Sequence, residues 1–123
     1  MKIAFATKDN ITVNDHFGWC RTFAVYDVMP GGFNLLEMRE IETDSSSEGS
    51  ESDKIEKRIN SIKDCTILYC EDIGSMAAAR VIRNRIHPIK LSQPESIYVL
   101  LTKLIVVLKK PPIWLRKVLE REK

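Results

Sequence analysis

Cysteine, glycine and proline are all scarce in this chain of 123 residues, which holds three, five and five of them. Three cysteines are too few, and odd in number, for a scaffold stapled by disulfides; they fit reduced thiols in a cytoplasmic protein. So little glycine and proline excludes a collagenous or low-complexity chain. A surplus of one charge is missing as well: 19 Lys and Arg stand against 17 Asp and Glu, a net charge of +2. That balance gives no reason to expect nucleic acid as a partner. The longest apolar run, Ile97 to Leu108, is interrupted by Thr102 and Lys103, and it falls short of the roughly 20 residues of a membrane span. The apolar stretch between Lys2 and Lys8 is shorter than the roughly 7 to 15 residues of a signal-peptide core. What remains is a chain 44% apolar and 29% charged, which reads as one soluble domain over residues 1–123 with a single core.

The pattern along the chain predicts alternating strands and helices. Residues 2–7 suit a first strand and residues 23–28 a second, with Pro30-Gly31-Gly32 turning into a third over 33–41. Residues 42–52 are an acidic, serine-rich surface loop, and Ser50-Glu51-Ser52-Asp53 has the form of a capping box. Ile55, Ile59 and Ile62 then mark one face of a helix. A buried strand over 66–70, a helix over 74–83 and a short strand over 86–91 follow, with Pro88 suited to a sheet edge. Pro94 near a helix start opens the next helix, whose buried stripe is Ile97, Leu100, Leu101, Leu104, Ile105 and Leu108. Pro111-Pro112 ends it, and residues 111–123 form a tail with a short helix.

This order predicts an α/β fold: a five-stranded mixed sheet, in spatial order 3-2-1-4-5, flanked by helices. The arrangement resembles the ribonuclease H-like fold. Its topological switch lies between the first and fourth strands, where ligands of open sheets bind. Loop 9–20, the residues Cys70 to Ser75, and Ser92 with Gln93 all emerge at that edge. His16, Cys20 and Cys70 are therefore candidate ligands, while His87 falls at the opposite edge. The helix start at Gly74 is a candidate anion site, and Arg21, Arg80, Arg83 and Arg85 are candidate counter-charges. Each also has a structural reading: a solvated histidine, buried thiols, a tight glycine turn, a solvated basic helix face.

Val13-Asn14-Asp15-His16-Phe17-Gly18 followed by Phe23-x-Val25-Tyr26-Asp27-Val28 resembles the dinitrogenase iron-molybdenum cofactor biosynthesis family, of the NifX and NafY type. So do Asp64-Cys65, Ile73-Gly74, the helix Ala77 to Arg83, Ile86-His87-Pro88-Ile89-Lys90 and the tail Pro111-Pro112-x-Trp114-Leu115-Arg116-Lys117. One departure stands out: Ser75-Met76 replaces the family's usual Gly-Pro after Gly74. The resemblance implies a non-catalytic carrier of the iron-molybdenum cofactor or its iron-sulfur precursor. It implies nitrogenase assembly proteins or apo-dinitrogenase as partners, and no amino-terminal domain ahead of the strand at Lys2. It also assigns cofactor binding to the His-Phe-Gly motif, here His16, Phe17 and Gly18. Gly74, Ser75 and Arg80 are the expected anion-binding supplements, with Cys20 or Cys70 adding a thiolate beside His16 on the metal. Two rivals remain at this point: a protein-docking module without a cluster, and a Mg²⁺-dependent nuclease using Asp9, Glu51 or Glu56, and Asp72.

Overall fold

The computed structural model describes residues 1–42 and 49–121. Its elements run β1 (Lys2–Ala6), β2 (Thr12–Val13), β3 (Thr22–Met29), β4 (Gly32–Glu40), α1 (Glu51–Ser61), β5 (Ile67–Cys70), α2 (Ser75–Arg83), β6 (His87–Lys90), β7 (Glu95–Ser96), α3 (Ile97–Leu108) and α4 (Ile113–Arg121). Five strands form one mixed sheet in the order β4-β3-β1-β5-β6. β1 pairs antiparallel with β3 and parallel with β5, so it lies at the sheet's centre.

Alternation along the central strands divides the core into two layers. Ala4, Ala6, Leu68 and Cys70 turn to one face, where Ile55 and Ile59 of α1 and Ala77 and Val81 of α2 cover them. Ile3, Phe5, Ile67 and Tyr69 turn to the other, beneath Leu101 and Leu104 of α3 and Leu115 and Val118 of α4. Strands buried on both faces need continuous apolar sequence, and Ile3 to Ala6 and Ile67 to Cys70 supply it.

The capping box at Ser50 and Asp53 is present: Asp53 N–H donates to the Ser50 hydroxyl, and the Ser50 N–H donates to Asp53. Most of the acidic serine-rich segment, residues 43–48, lies outside the described residues. The start of the third long apolar element differs from the sequence expectation. Pro94 does not begin a helix; Glu95 and Ser96 instead form β7, paired antiparallel with β2. α3 starts at Ile97 because the Ser96 hydroxyl accepts the Val99 N–H and caps it. No helix among the described residues is long and apolar enough to cross a membrane.

Candidate functional site

Between β1 and β3 the chain makes a long excursion that Asp9 and Asn14 organise. The N–H groups of Thr12 (2.8 Å) and Ile11 (3.0 Å), with the hydroxyls of Thr12 and Thr7, donate to the Asp9 carboxylate. Those bonds, Thr12's first, hold the Asp9 carboxyl well below its ordinary range. Just past the end of β5, the loop before β3 pairs with it in parallel through two backbone bonds. Glu71 N–H donates to the Asp15 carbonyl (3.0 Å) and Phe17 N–H to the Asp72 carbonyl (2.8 Å), which sets His16 beside Asp72. The Phe17 ring is fully buried against Phe23, anchoring the loop from below.

The His16 carbonyl accepts the N–H of both Trp19 (3.2 Å) and Cys20 (2.9 Å). That turn leaves Trp19 outside, 67% exposed, and carries Cys20 into the core. There the guanidinium of buried Arg58, from α1, donates to the Cys20 carbonyl. The imidazole of His16 is held on two sides. Gly18 N–H donates to Nδ1 at 2.9 Å, and the Trp19 ring stacks at 4.6 Å and 19°. A side chain at position 18 would crowd the ring, because a Cβ there would stand 3.2 Å from the imidazole Cε1 and 3.3 Å from Nδ1, so the imidazole would have to shift. With Nδ1 accepting a hydrogen bond, a neutral imidazole carries its proton on Nε2. Nε2 stands 3.9 Å from Asp72 Oδ2, and Lys90 Nζ stands 3.2 Å from the other oxygen of that carboxylate. The hydrogen bond from Lys90, then that from the Ile73 N–H, holds the Asp72 carboxyl below its ordinary range.

His16, with Trp19, lines two cavities. One is an open cleft of about 690 Å³ bounded by Lys8, Asp15, Trp19, Asp72, Lys90 and Ser92. The other is smaller, about 170 Å³, reaching Gly18, Gly74, Met76 and Ala77 at the start of α2. Gly74 is the N-cap of α2 and offers no side-chain cap, so the first N–H groups of the helix remain available to an acceptor. The open cleft is mixed in charge, with Asp15, Glu71 and Asp72 facing Lys8 and Lys90.

The structure thus brings His16, Gly18 and Gly74 together, and it separates other expected site residues from them. Cys20 and Cys70 are fully buried among the apolar residues under α1 and α2. For Cys70 the cause is the pleat: it shares a face with Leu68, two residues before it, so the strand's end does not present it to the crevice. Burial pushes both thiols up to about 12, which disfavours the thiolate that ligates metals. Arg80 turns to α1, donating to Ser52 and pairing with Glu56, so it is not a counter-charge for the cleft. Phe17 supports the loop from the core, and Ser75 is exposed in the first turn of α2 without lining either cavity. His87 lies away from the cleft, stacked on Trp114. Among the described residues no three His, Cys, Asp or Glu groups converge to hold a metal ion. Trp19 and Lys8 belong to none of the sequence motifs, and Lys90 appears only within the family motif ending Pro88-Ile89-Lys90. For Trp19 the available signal was an aromatic residue three positions after the histidine in a loop of short side chains.

Residues 1–106 match the family described as dinitrogenase iron-molybdenum cofactor. The chain belongs to that family. It is NifX-like, placed in nitrogen fixation and iron-molybdenum cofactor biosynthesis. Over 122 residues it is 43% identical to protein NifX of Herbaspirillum seropedicae, covering 98% of this chain and 83% of that one. It is 39% identical to protein NifX of Sinorhizobium fredii, covering 97% and 78%. The fold is similar to the crystal structure of PH0822, with a TM-score of 0.67 at 22% identity over 85% of this NifX-like chain and 90% of that one.

Proposed function

We propose that this chain is a non-catalytic cytoplasmic carrier. It binds the iron-molybdenum cofactor, or its iron-sulfur precursor, at His16 and passes it on during nitrogenase cofactor assembly. One domain does this, and the sheet order with its two helical layers supports a ribonuclease H-like reading of it. The observation that carries the proposal is the imidazole of His16, fixed by Gly18 and Trp19 with Nε2 beside a cleft of about 690 Å³, in a chain of this family.

Nε2 can meet the cargo in two ways. With its proton on Nε2, His16 donates to an acceptor on the cluster; for Nε2 to supply a lone pair to iron or molybdenum, the neutral ring would carry its proton on Nδ1 instead and give up the bond from the Gly18 N–H. Lys8, which has no acidic partner among the described residues, and the uncapped start of α2 offset negative charge on the cargo. A carrier must also release what it holds. A single imidazole with electrostatic support is easily displaced, whereas a cluster held by four thiolates is not. The recipients are nitrogenase assembly proteins or apo-dinitrogenase, with neither nucleic acid nor membrane involved. The nuclease alternative has little support, because Asp9 is committed to its own turn and Glu56 to Arg80.

An anaerobic titration of the protein with isolated iron-molybdenum cofactor and with its precursor, followed by gel filtration and metal analysis, tests this reading. Metal should co-elute with the wild type and drop by about tenfold or more in His16→Ala, the loss of one good bond. If neither protein retains metal, the chain is a docking module without cargo.

A further inference from the structure

Cations and carboxylates are not spread evenly along this chain. Residues 97–119 contain Lys103, Lys109, Lys110, Arg116 and Lys117 and no Asp or Glu, although the whole sequence is nearly balanced. The four lysines are exposed and have no acidic partner among the described residues. The same segment is unusually apolar on its outer side. In α3 only Thr102 and Lys103 interrupt the apolar and aromatic residues, so the helix has apolar side chains left over once Leu100, Leu101 and Leu104 face the sheet. Tyr98 is 66% exposed, Val106 65% and, at the start of α4, Ile113 70%. A helix packed by one face ordinarily turns a polar face to water, and an apolar stripe among like charges marks an interaction surface.

We infer that the outer face of α3 docks a protein partner whose contact patch is apolar and ringed by carboxylates. Charge complementarity names this occupant. A two-fold pair of identical chains would set Lys103 and Lys110 against the same lysines, which is repulsive. A bilayer needs an unbroken apolar stripe, and Lys103 sits between Val99 and Val106 at the spacing of one helix face. None of these residues lines the cavities beside His16, and α3 covers the opposite side of the sheet from α1 and α2. Partner and cargo can therefore be bound together. The carrier reading supplies only the choice of probe.

Purified apo-dinitrogenase is the probe, titrated against immobilised wild type, Val106→Glu, Lys103→Glu and His16→Ala at low and high salt. Sedimentation of the chain alone and flotation with phosphatidylglycerol vesicles run alongside. Docking should weaken about tenfold or more in Val106→Glu and Lys103→Glu and with salt, with His16→Ala unchanged. Val106→Glu should still retain cluster, so failure of docking and failure of cargo binding are separable. The inference is overturned if apo-dinitrogenase does not bind or binds both variants normally. It is also overturned if Val106→Glu instead abolishes self-association or vesicle binding.

Discussion

Gly18 is the residue on which the site's geometry turns. Its N–H fixes the His16 ring at 2.9 Å, and its missing side chain leaves room for that ring. Gly18→Ala forces the imidazole or the loop to move, so cargo affinity should fall by about tenfold or more, toward the His16→Ala value. The fold itself should lose little, because the anchors of the loop are Phe17 below and the backbone bonds to Glu71 and Asp72. Metal retention and thermal melting of the same variant separate the two effects: unchanged retention in a folded variant refutes the role given to Gly18. The motif was visible in the sequence as His16-Phe17-Gly18. Its division of labour was not, since one member lines the cleft, one packs in the core, and the third holds the histidine through its backbone N–H.

At the scale of elements, Asp64 ties three of them together. Its carboxylate accepts from Arg39 of β4 (2.8 Å) and from Lys2 of β1 (3.0 Å), while Arg39 also donates to the Ser61 carbonyl at the end of α1. The Arg39 guanidinium holds the Asp64 carboxyl well below its usual range. A carboxyl lowered in the folded state stabilises it above the unfolded value of about 3.9, and that stability is lost as pH falls through the folded value. Asp64→Asn should therefore melt earlier than the wild type at pH 7, by about 1 kcal/mol or less because the pair is part-exposed. The gap should narrow as pH falls below about 4 and close only as pH passes through the lowered folded value; a gap independent of pH would mean that packing, not charge, sets it. The elements themselves follow hydrophobic periodicity, and the two that escaped it, β2 and β7, are two residues each. Pairs so short carry no alternation and exist only because the loop after β1 meets the segment before α3.

The whole molecule decides the fate of the thiols. Cys20 and Cys70 sit in the layer shared by the sheet, α1 and α2, so a reagent reaches them only when that layer opens. Their alkylation at pH 8 should be slow in the native protein, should accelerate in step with urea unfolding, and should be unaffected by bound cargo. Rapid labelling of the native protein, blocked by cluster, would return them to the list of ligands. Read alone, the chain specifies its family, the long strands and helices, and the histidine at the sheet's switch point, because apolar periodicity and local motifs are properties of neighbouring residues. The tertiary structure alone decides which of those residues meet. The pleat of β5 turns Cys70 inward, α1 takes Arg80 away from the cleft, and Lys90 of β6 arrives beside Asp72, just past the end of the neighbouring strand β5. These outcomes depend on groups far apart in sequence whose separation is set by packing.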